Sequence, residues 1–380
     1  MPGPRPIEAE PAGAGDAPPT DLGTAAAVEA LLAGVLEAES RRARDVDPVY
    51  ATEVADRVGD FVRRGGKRMR TAFVRCGWRA AGGPGDDALV LRIGAALELV
   101  QACALIHDDL MDGSPHRRGA PAVHVEYARL HRAARMAGPP EEFATSAAVL
   151  AGDLALAWAD DLLAETVLGS PHGSRLLGEW RAMRREMVAG QYRDVRAQAT
   201  GASAVEEAVT IATLKSALYT VERPLALGAV AADADPDTLD ALRSAGRCAG
   251  LAFQLRDDLL GTFGDPGETG KPRDDDLRAR KLTYLLAVGL RRADALGDTD
   301  AADALAPGAR ARPPRTVERM RRALERTGAR ESVEARITEL AGESLRYFEK
   351  ASTDQGLRDE FGALVARSST GAACRGGEAR

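Results

Sequence analysis

Alanine, leucine and valine recur at spacings of three and four residues along nearly the whole chain, whereas alternating apolar and polar runs bounded by turn signals are hard to find. The first pattern lays apolar side chains along one face of an α-helix, and the second would mark strands. The chain therefore reads as all-α. Helices are predicted over 24–44, 48–63, 67–80, 86–112, 120–136, 143–168, 173–199, 203–232, 236–262, 274–295, 313–327, 330–350 and 355–366. Breaks fall on turn chemistry at Gly82-Gly83-Pro84-Gly85, Gly138-Pro139-Pro140, Gly169-Ser170-Pro171 and Ala306-Pro307-Gly308. No linker separates two differently composed halves, so one domain is expected over 23–367. A tail over 1–22, rich in Pro, Gly and Ala, reads as disordered, and the Gly- and Arg-containing stretch 368–380 as flexible.

Two acidic strings stand out against this apolar background: Asp108-Asp109-Leu110-Met111-Asp112 and Asp257-Asp258-Leu259-Leu260-Gly261. On a helix Asp108 and Asp112 project from one face, a turn apart. The lead-in Leu97 to His107 is too apolar for a solvated surface, so the carboxylates close a buried segment, where unpaired charge is costly and a metal is the simplest remedy. One such string alone is more often a cap or a solvated charge. Two, the second followed by a loop containing Gly270 and Lys271, suggest Mg²⁺ together with phosphate oxygens, because Mg²⁺ binds through a few carboxylates, water and substrate phosphates.

Composition narrows the setting. At 380 residues, 45% of them hydrophobic, the chain can build a sizeable core. A net charge of −6 gives no general attraction to nucleic acid or anionic membrane, so an anionic substrate has to be held by a local basic cluster and metal. Cys76, Cys103, Cys248 and Cys374 lack metal-ligand spacing, which fits a reducing cytosol and a cytoplasmic protein. The N-terminus has neither a basic start nor an apolar core of signal-peptide type, and no run of about twenty apolar residues is free of charges, so no transmembrane helix is expected.

Basic residues lie between and beside the acidic strings. Gly65-Gly66-Lys67-Arg68-Met69-Arg70 sets cations at a helix start, an end that attracts anions. Arg117-Arg118-Gly119 follows the first acidic string, and guanidinium is preferred for bidentate phosphate binding. Lys215, Lys271 and Lys281 add point charges. These strings, with Lys215-Ser216, Phe253-Gln254-Leu255-Arg256-Asp257-Asp258 and Gly270-Lys271-Pro272 through Arg280-Lys281, resemble the trans-isoprenyl diphosphate synthase (polyprenyl synthetase) family from about residue 24 to 366, most like its bacterial geranylgeranyl diphosphate synthases.

The resemblance implies an isoprenoid synthase bundle of about 10–13 helices around a deep central cavity, a homodimer, and three Mg²⁺ ions. It implies head-to-tail condensation of isopentenyl diphosphate onto an allylic diphosphate (dimethylallyl, geranyl or farnesyl). Residue by residue, Asp108 and Asp112 match Mg²⁺ ligands on one wall and Asp257 the ligand on the other, with Asp109 and Asp258 in support. Arg117, Lys215 and Lys271 match cations on the allylic diphosphate, with Lys281 nearby and Ser216 beside Lys215. Gly66, Lys67, Arg70, Gln101 and Arg118 match the isopentenyl diphosphate pocket, and Gln254 a polar group facing the allylic site. Gly261 departs from the family, where many members have a third Asp. So does Ser216, where Thr is commoner.

The chemistry explains the residue types. Breaking the allylic C–O bond leaves a carbocation and a diphosphate, and fixed positive charge can stabilise only the anion. Attack by the isopentenyl double bond has to outcompete water, which calls for an apolar closed site. The departing diphosphate is expected to take the proton, because no His or Glu presents itself as a base. Below Asp108, the small residues Ala104 and Cys103, with Val100 a turn further, would let a growing tail pass, which points to a twenty-carbon geranylgeranyl product; farnesyl or longer products are the alternatives. A class I terpene cyclase, or a non-catalytic subunit of a heteromeric synthase, are the readings from other classes.

Overall fold

A computed structural model describes residues 21–66, 68–83, 87–264, 274–308 and 314–370. Both expected tails therefore lie outside the described residues, apart from their inner ends, as do Lys67, Lys271 and Cys374. α1 (Asp21–Val46) leads through a short α2 (Pro48–Tyr50) and a π-helical turn (Ala51–Ala55) into α3 (Asp56–Arg63). Next come α4 (Met69–Ala80), α5 (Ala88–Asp112), a two-stranded hairpin of β1 (His116–Arg117) and β2 (Ala120–Pro121), α6 (Val123–Ala133), α7 (Pro140–Val167) and α8 (Gly173–Thr200). α9 (Val205–Ala212), a π-helical stretch (Thr213–Glu222) and α10 (Arg223–Ala231) run on without a break, and α11 (Pro236–Phe263) follows. The last helices are α12 (Asp275–Ala279), α13 (Tyr284–Leu296), α14 (Thr299–Leu305), α15 (Pro314–Arg326), α16 (Ala329–Ala351) and α17 (Gln355–Thr370).

Local chemistry accounts for the helix ends. Asp235 caps α11 by accepting the Thr238 N–H at 3.0 Å, and Pro236 fills the first helical position, where its missing N–H does no harm. Before Pro224, which has no N–H to offer the Thr220 carbonyl, the ladder widens to π register, with the Arg223 N–H bonded to Leu218 O.

The structure corrects the expectation of a single helix over 274–295. The chain breaks after α12, where Arg280 adopts φ 52°, and α13 restarts under a Thr283 cap that accepts the Leu286 N–H at 3.1 Å. A non-glycine residue in the left-handed region is strained by about 1–3 kcal/mol. Here the Arg280 guanidinium offsets that strain by donating to the Ala304 carbonyl at 3.1 Å and to that of Ala306. No Gly or Pro marks this break, so periodicity alone runs through it. The short α14, the hairpin and both π stretches are also absent from the periodic reading.

Two apolar clusters fill the bundle. One gathers α4, α5, α7, α8 and α10, with Phe73, Ile93, Leu97, Ile106 and Trp180 fully buried. The other surrounds the C-terminal half of α11 and α13–α16, and includes Leu255, Leu259, Leu285, Met320 and Val333. The acidic end of α5 belongs to the first cluster, whereas Leu255 and Leu259, which flank Asp257 and Asp258, belong to the second. The two acidic strings therefore sit where the clusters meet. α5 is the one described helix long and apolar enough to cross a membrane, and it is two-thirds buried inside the bundle.

Candidate active site

The first acidic string is already surrounded by cations. Lys215 Nζ lies 2.7 Å from Asp108 Oδ1, and Lys281 Nζ 2.8 Å from Asp112 Oδ2. Both lysines reach the same third carboxylate, Asp194 Oδ2, at 2.6 and 3.2 Å. Asp194 is fully buried, so it functions as the hub of the cluster. Gln191, one helical turn earlier on α8, donates to Asp108 Oδ1 at 3.3 Å.

Backbone packing makes this convergence possible. A Cβ at Gly190 would stand 2.2 Å from the backbone nitrogen of Lys215, so only glycine lets α8 press directly on the π stretch. The π register then carries Lys215, Tyr219 and Thr220 along one wall.

Arg117 and Arg118 are sent in opposite directions by the hairpin between them and β2. The register pairs His116 with Pro121 and Arg117 with Ala120, leaving Arg118 and Gly119 as the loop with φ 53° and 74°. Two positive φ values are what a type I′ hairpin turn requires. Arg117 grips Asp109 through Nε at 3.0 and 3.1 Å and approaches Asp108 at 3.7 Å. Arg118 instead lies over the Phe61 ring, 5.7 Å from its centroid, and a Cβ on Gly66 would come 3.0 Å from its guanidinium.

A second polar group forms around Arg118. Arg70 hydrogen-bonds Gln101 Oε1, donates to Thr220 Oγ1 at 3.2 Å and stacks on the Tyr219 ring at 4.4 Å. Arg68 pairs with the buried Glu98 at 2.8 Å. Burial pushes the Arg118 guanidinium below its ordinary value, and Arg68, Arg117 and Arg70 push the same way against Glu98. Among the described residues Arg118 has no hydrogen-bonded carboxylate, so this corner favours an added anion.

Charge states follow from these contacts. Burial alone would raise the Asp108 carboxyl, but Lys215, Lys281 and Arg117 outweigh it and hold Asp108 well below the usual carboxylate range. Burial would likewise discharge Lys281, yet Asp108, Asp194 and Asp112 keep its ammonium well above its ordinary value. Asp258 differs: burial and then the neighbouring Asp276 push it up to about 8, although Gln254 donates to it at 2.8 Å.

The structure thus brings together Asp108, Asp109, Asp112, Arg117, Lys215 and Lys281. Asp257 is near enough for its charge to act on Arg117. Gln254 turns to Asp258, and Ser216 is half-buried beside Lys215. Val100 and Cys103 are buried in the first apolar cluster, while Ala104 is half-buried against it. Burial pushes the Cys103 thiol up to about 12, so it stays protonated.

Sequence reasoning missed Asp194, Gln191, Tyr219, Thr220 and Asp276. The last is informative because a Cβ added at Gly261 would meet Asp276 Oδ2 at 3.5 Å. The carboxylate absent from the second string is thus supplied nearby from α12.

The donor set fits Mg²⁺: the acidic groups at the seam are hard carboxylate oxygens, and the lysine ammonium groups at 2.7–2.8 Å from Asp108 and Asp112 stand in for the charge of bound cations. Among the described residues no three such ligands converge on one point with the lysines in this arrangement.

An all-α bundle with two facing acidic helices and two separate cation groups defines the class of protein, and comparison with known proteins agrees. The family model described as Polyprenyl synthetase matches residues 52–323. The chain therefore belongs to the polyprenyl synthetase family of trans-prenyltransferases. It is 30% identical over 252 residues to geranylfarnesyl diphosphate synthase of Aeropyrum pernix, covering 66% of this chain and 73% of that one. To geranylgeranyl diphosphate synthase of Mycobacterium tuberculosis it is 35% identical over 234 residues, or 59% of each chain. A crystal structure of geranylgeranyl pyrophosphate synthase from Corynebacterium glutamicum, complexed with isoprenyl diphosphate and magnesium, superposes with a TM-score of 0.86 at 39% identity, covering 91% of this chain and 98% of that one.

Proposed function

We propose that the protein catalyses Mg²⁺-dependent head-to-tail condensation of isopentenyl diphosphate with an allylic diphosphate, with geranylgeranyl diphosphate as the main product. The observation that carries this reading is the division of the cations into two groups. Lys215, Lys281 and Arg117 surround the aspartates, whereas Arg70 bonds Gln101 and Thr220 and Arg118 lies over the Phe61 ring. Two such groups suit two diphosphates. A class I terpene cyclase binds one and has no use for the second group.

In this reading Asp108, Asp112 and Asp257 hold the metal, three ions in all, with Asp109 and Asp258 in support. Bound Mg²⁺ supplies positive charge to the leaving diphosphate. Arg117, Lys215 and Lys281, with Lys271, bind and neutralise the same diphosphate, and the lysines exchange their aspartate partners for phosphate oxygens. Arg70 and Arg118, with Gly66 and Lys67, orient isopentenyl diphosphate. The apolar length of α5 below Asp108 keeps water from the cation. The small side chains of Ala104 and Cys103 support a tail longer than fifteen carbons.

The same reading includes a cytoplasmic homodimer. Val188, Tyr192 and Val195 form an exposed stripe on α8, 64%, 68% and 43% exposed, and Leu150 on α7 is 61% exposed. Such an apolar surface suits a second copy.

The test is the purified chain with isopentenyl diphosphate, dimethylallyl, geranyl or farnesyl diphosphate and Mg²⁺, with products dephosphorylated and sized by chromatography. A twenty-carbon product abolished by chelation is expected, and it should fall by orders of magnitude in Asp108→Ala and Asp257→Ala. No product from any primer would overturn the reading, as would folded aspartate variants as active as the parent.

A further inference from the structure

His107 precedes the first aspartate of the site, yet it has no part in holding a diphosphate. Its ring points away from the cations and into α7. Nε2 lies 3.2 Å from the Val149 carbonyl, and Nδ1 3.7 Å from Cys103 Sγ. A carbonyl only accepts, so Nε2 carries the hydrogen and donates, leaving Nδ1 to accept from the protonated Cys103 thiol. Asp153 Oδ1 stands 3.8 Å from Nε2 on the outer side.

The ring has a fitted seat. A Cβ at Gly152 would fall 2.1 Å from Nε2, so the imidazole occupies the space that any larger residue on α7 would fill. Around this seat the buried face of α7 is made of small residues, Ala144, Ala147, Ala148, Ala151 and Ala155, and the large buried side chains Trp158, Leu162, Leu163 and Val167 come only toward its C-terminal end. Small side chains let two helices approach closely but offer few knobs to resist rotation or sliding. Arg92 ties the far end of the seam by donating to Thr166 Oγ1 at 2.9 Å, whereas His107 is the polar knob of the small-residue stretch, next to the aspartates at the end of α5.

We propose that His107, seated on Gly152, is a positioning residue that fixes the rotation of the last turn of α5 and so aims Asp108 and Asp112 at the metal and leaving-group site. This rests on the function proposed above. Turning that segment by about 20° would move a carboxylate, about 5–6 Å from the helix axis, by about 2 Å. Mg²⁺ demands near-ideal octahedral geometry, and a displacement of about 1 Å in a catalytic constellation can lower rate by about 100-fold.

The test compares the parent with His107→Ala, His107→Asn, His107→Gln and Gly152→Ala. Glutamine places its amide nitrogen as many bonds from Cα as Nε2 and can still donate to Val149 O; asparagine places its own at the Nδ1 position and cannot. Mg²⁺ is titrated calorimetrically in the presence of inorganic diphosphate, with no turnover, and the KM for isopentenyl diphosphate is measured separately. The Mg²⁺ half-saturation should rise about tenfold or more in the alanine and asparagine variants and in Gly152→Ala, the range typical of lost outer partners of metal ligands. It should return to within about twofold of the parent in His107→Gln, with the isopentenyl diphosphate KM unmoved throughout.

An unchanged half-saturation in His107→Ala, or a glutamine variant as impaired as the alanine one, overturns the inference. If Gly152→Ala does not fold, the three histidine variants decide alone. Should the parent itself show no Mg²⁺ uptake with diphosphate, the proposed function fails and this inference fails with it.

Discussion

Replacing Asp194 with asparagine keeps the shape of the hub and removes its charge. The parent carboxylate is fully buried and holds Lys215 at 2.6 Å and Lys281 at 3.2 Å. Removing one partner from a buried ion pair typically destabilises by about 3–5 kcal/mol. The lower end applies here, because each lysine keeps a second carboxylate, Asp108 at 2.7 Å and Asp112 at 2.8 Å. An unfolding entropy of about 2.1 cal/mol/K per residue over a domain of about 345 residues gives about 0.7 kcal/mol/K, so a loss of about 3 kcal/mol lowers Tm by about 4 °C. Catalysis should suffer more than stability. Without the hub, both lysines collapse onto the aspartates and are withdrawn from the diphosphate, so kcat should fall about 100-fold, as for loss of a preorganised charge on a leaving group. Calorimetry gives the first number and a saturating assay with both diphosphates the second. A variant that melts within 1 °C of the parent and turns over equally would refute the hub.

Other substitutions separate the two cation groups and the tail path. Arg70→Ala should mainly raise the KM for isopentenyl diphosphate, whereas Lys215→Ala should mainly weaken the allylic substrate or its ionisation; steady-state kinetics showing the reverse would reject the assignment. Ala104→Phe should shorten the product by one five-carbon unit with the fold intact. Cys103→Phe, at a buried position, should in addition lose about 1–3 kcal/mol by overpacking, and an unchanged product profile in both variants would remove the tail from this face of α5. Asp276→Asn should weaken Mg²⁺ binding measured with inorganic diphosphate, and adding Gly261→Asp should restore it; a double variant no better than the single one would show that the two positions do not substitute for each other.

The helices and the acidic strings were legible because each carries its signal within a few residues: a three-and-four apolar period, or carboxylates ending an apolar run. Asp194 was not, since Gly190-Gln191-Tyr192-Arg193-Asp194 reads as a solvated helix face. The one available signal was Gly190 itself, because a lone glycine inside a helical pattern usually has a packing reason. That reason, contact with the backbone of Lys215, exists only once α8 meets the π stretch. The break after α12 was invisible on similar grounds. Arg280 is held in a left-handed conformation by carbonyls more than twenty residues away, and no local residue type announces it.

The start of α12 bears on the departure at Gly261. The Asp274 N–H donates to Gly261 O at 2.9 Å, which ties the start of α12 to the end of α11. Asp276, two residues on, then sits where a side chain at 261 would reach, and its charge falls on Asp258 and Lys281. Position 261 can therefore be small because α12 brings a carboxylate to it, and a full aspartate there would set two like charges side by side, which destabilises unless a cation lies between them. The glycine and the short helix are one arrangement. A sequence read through local motifs divides it into a missing ligand and an unremarkable acidic turn.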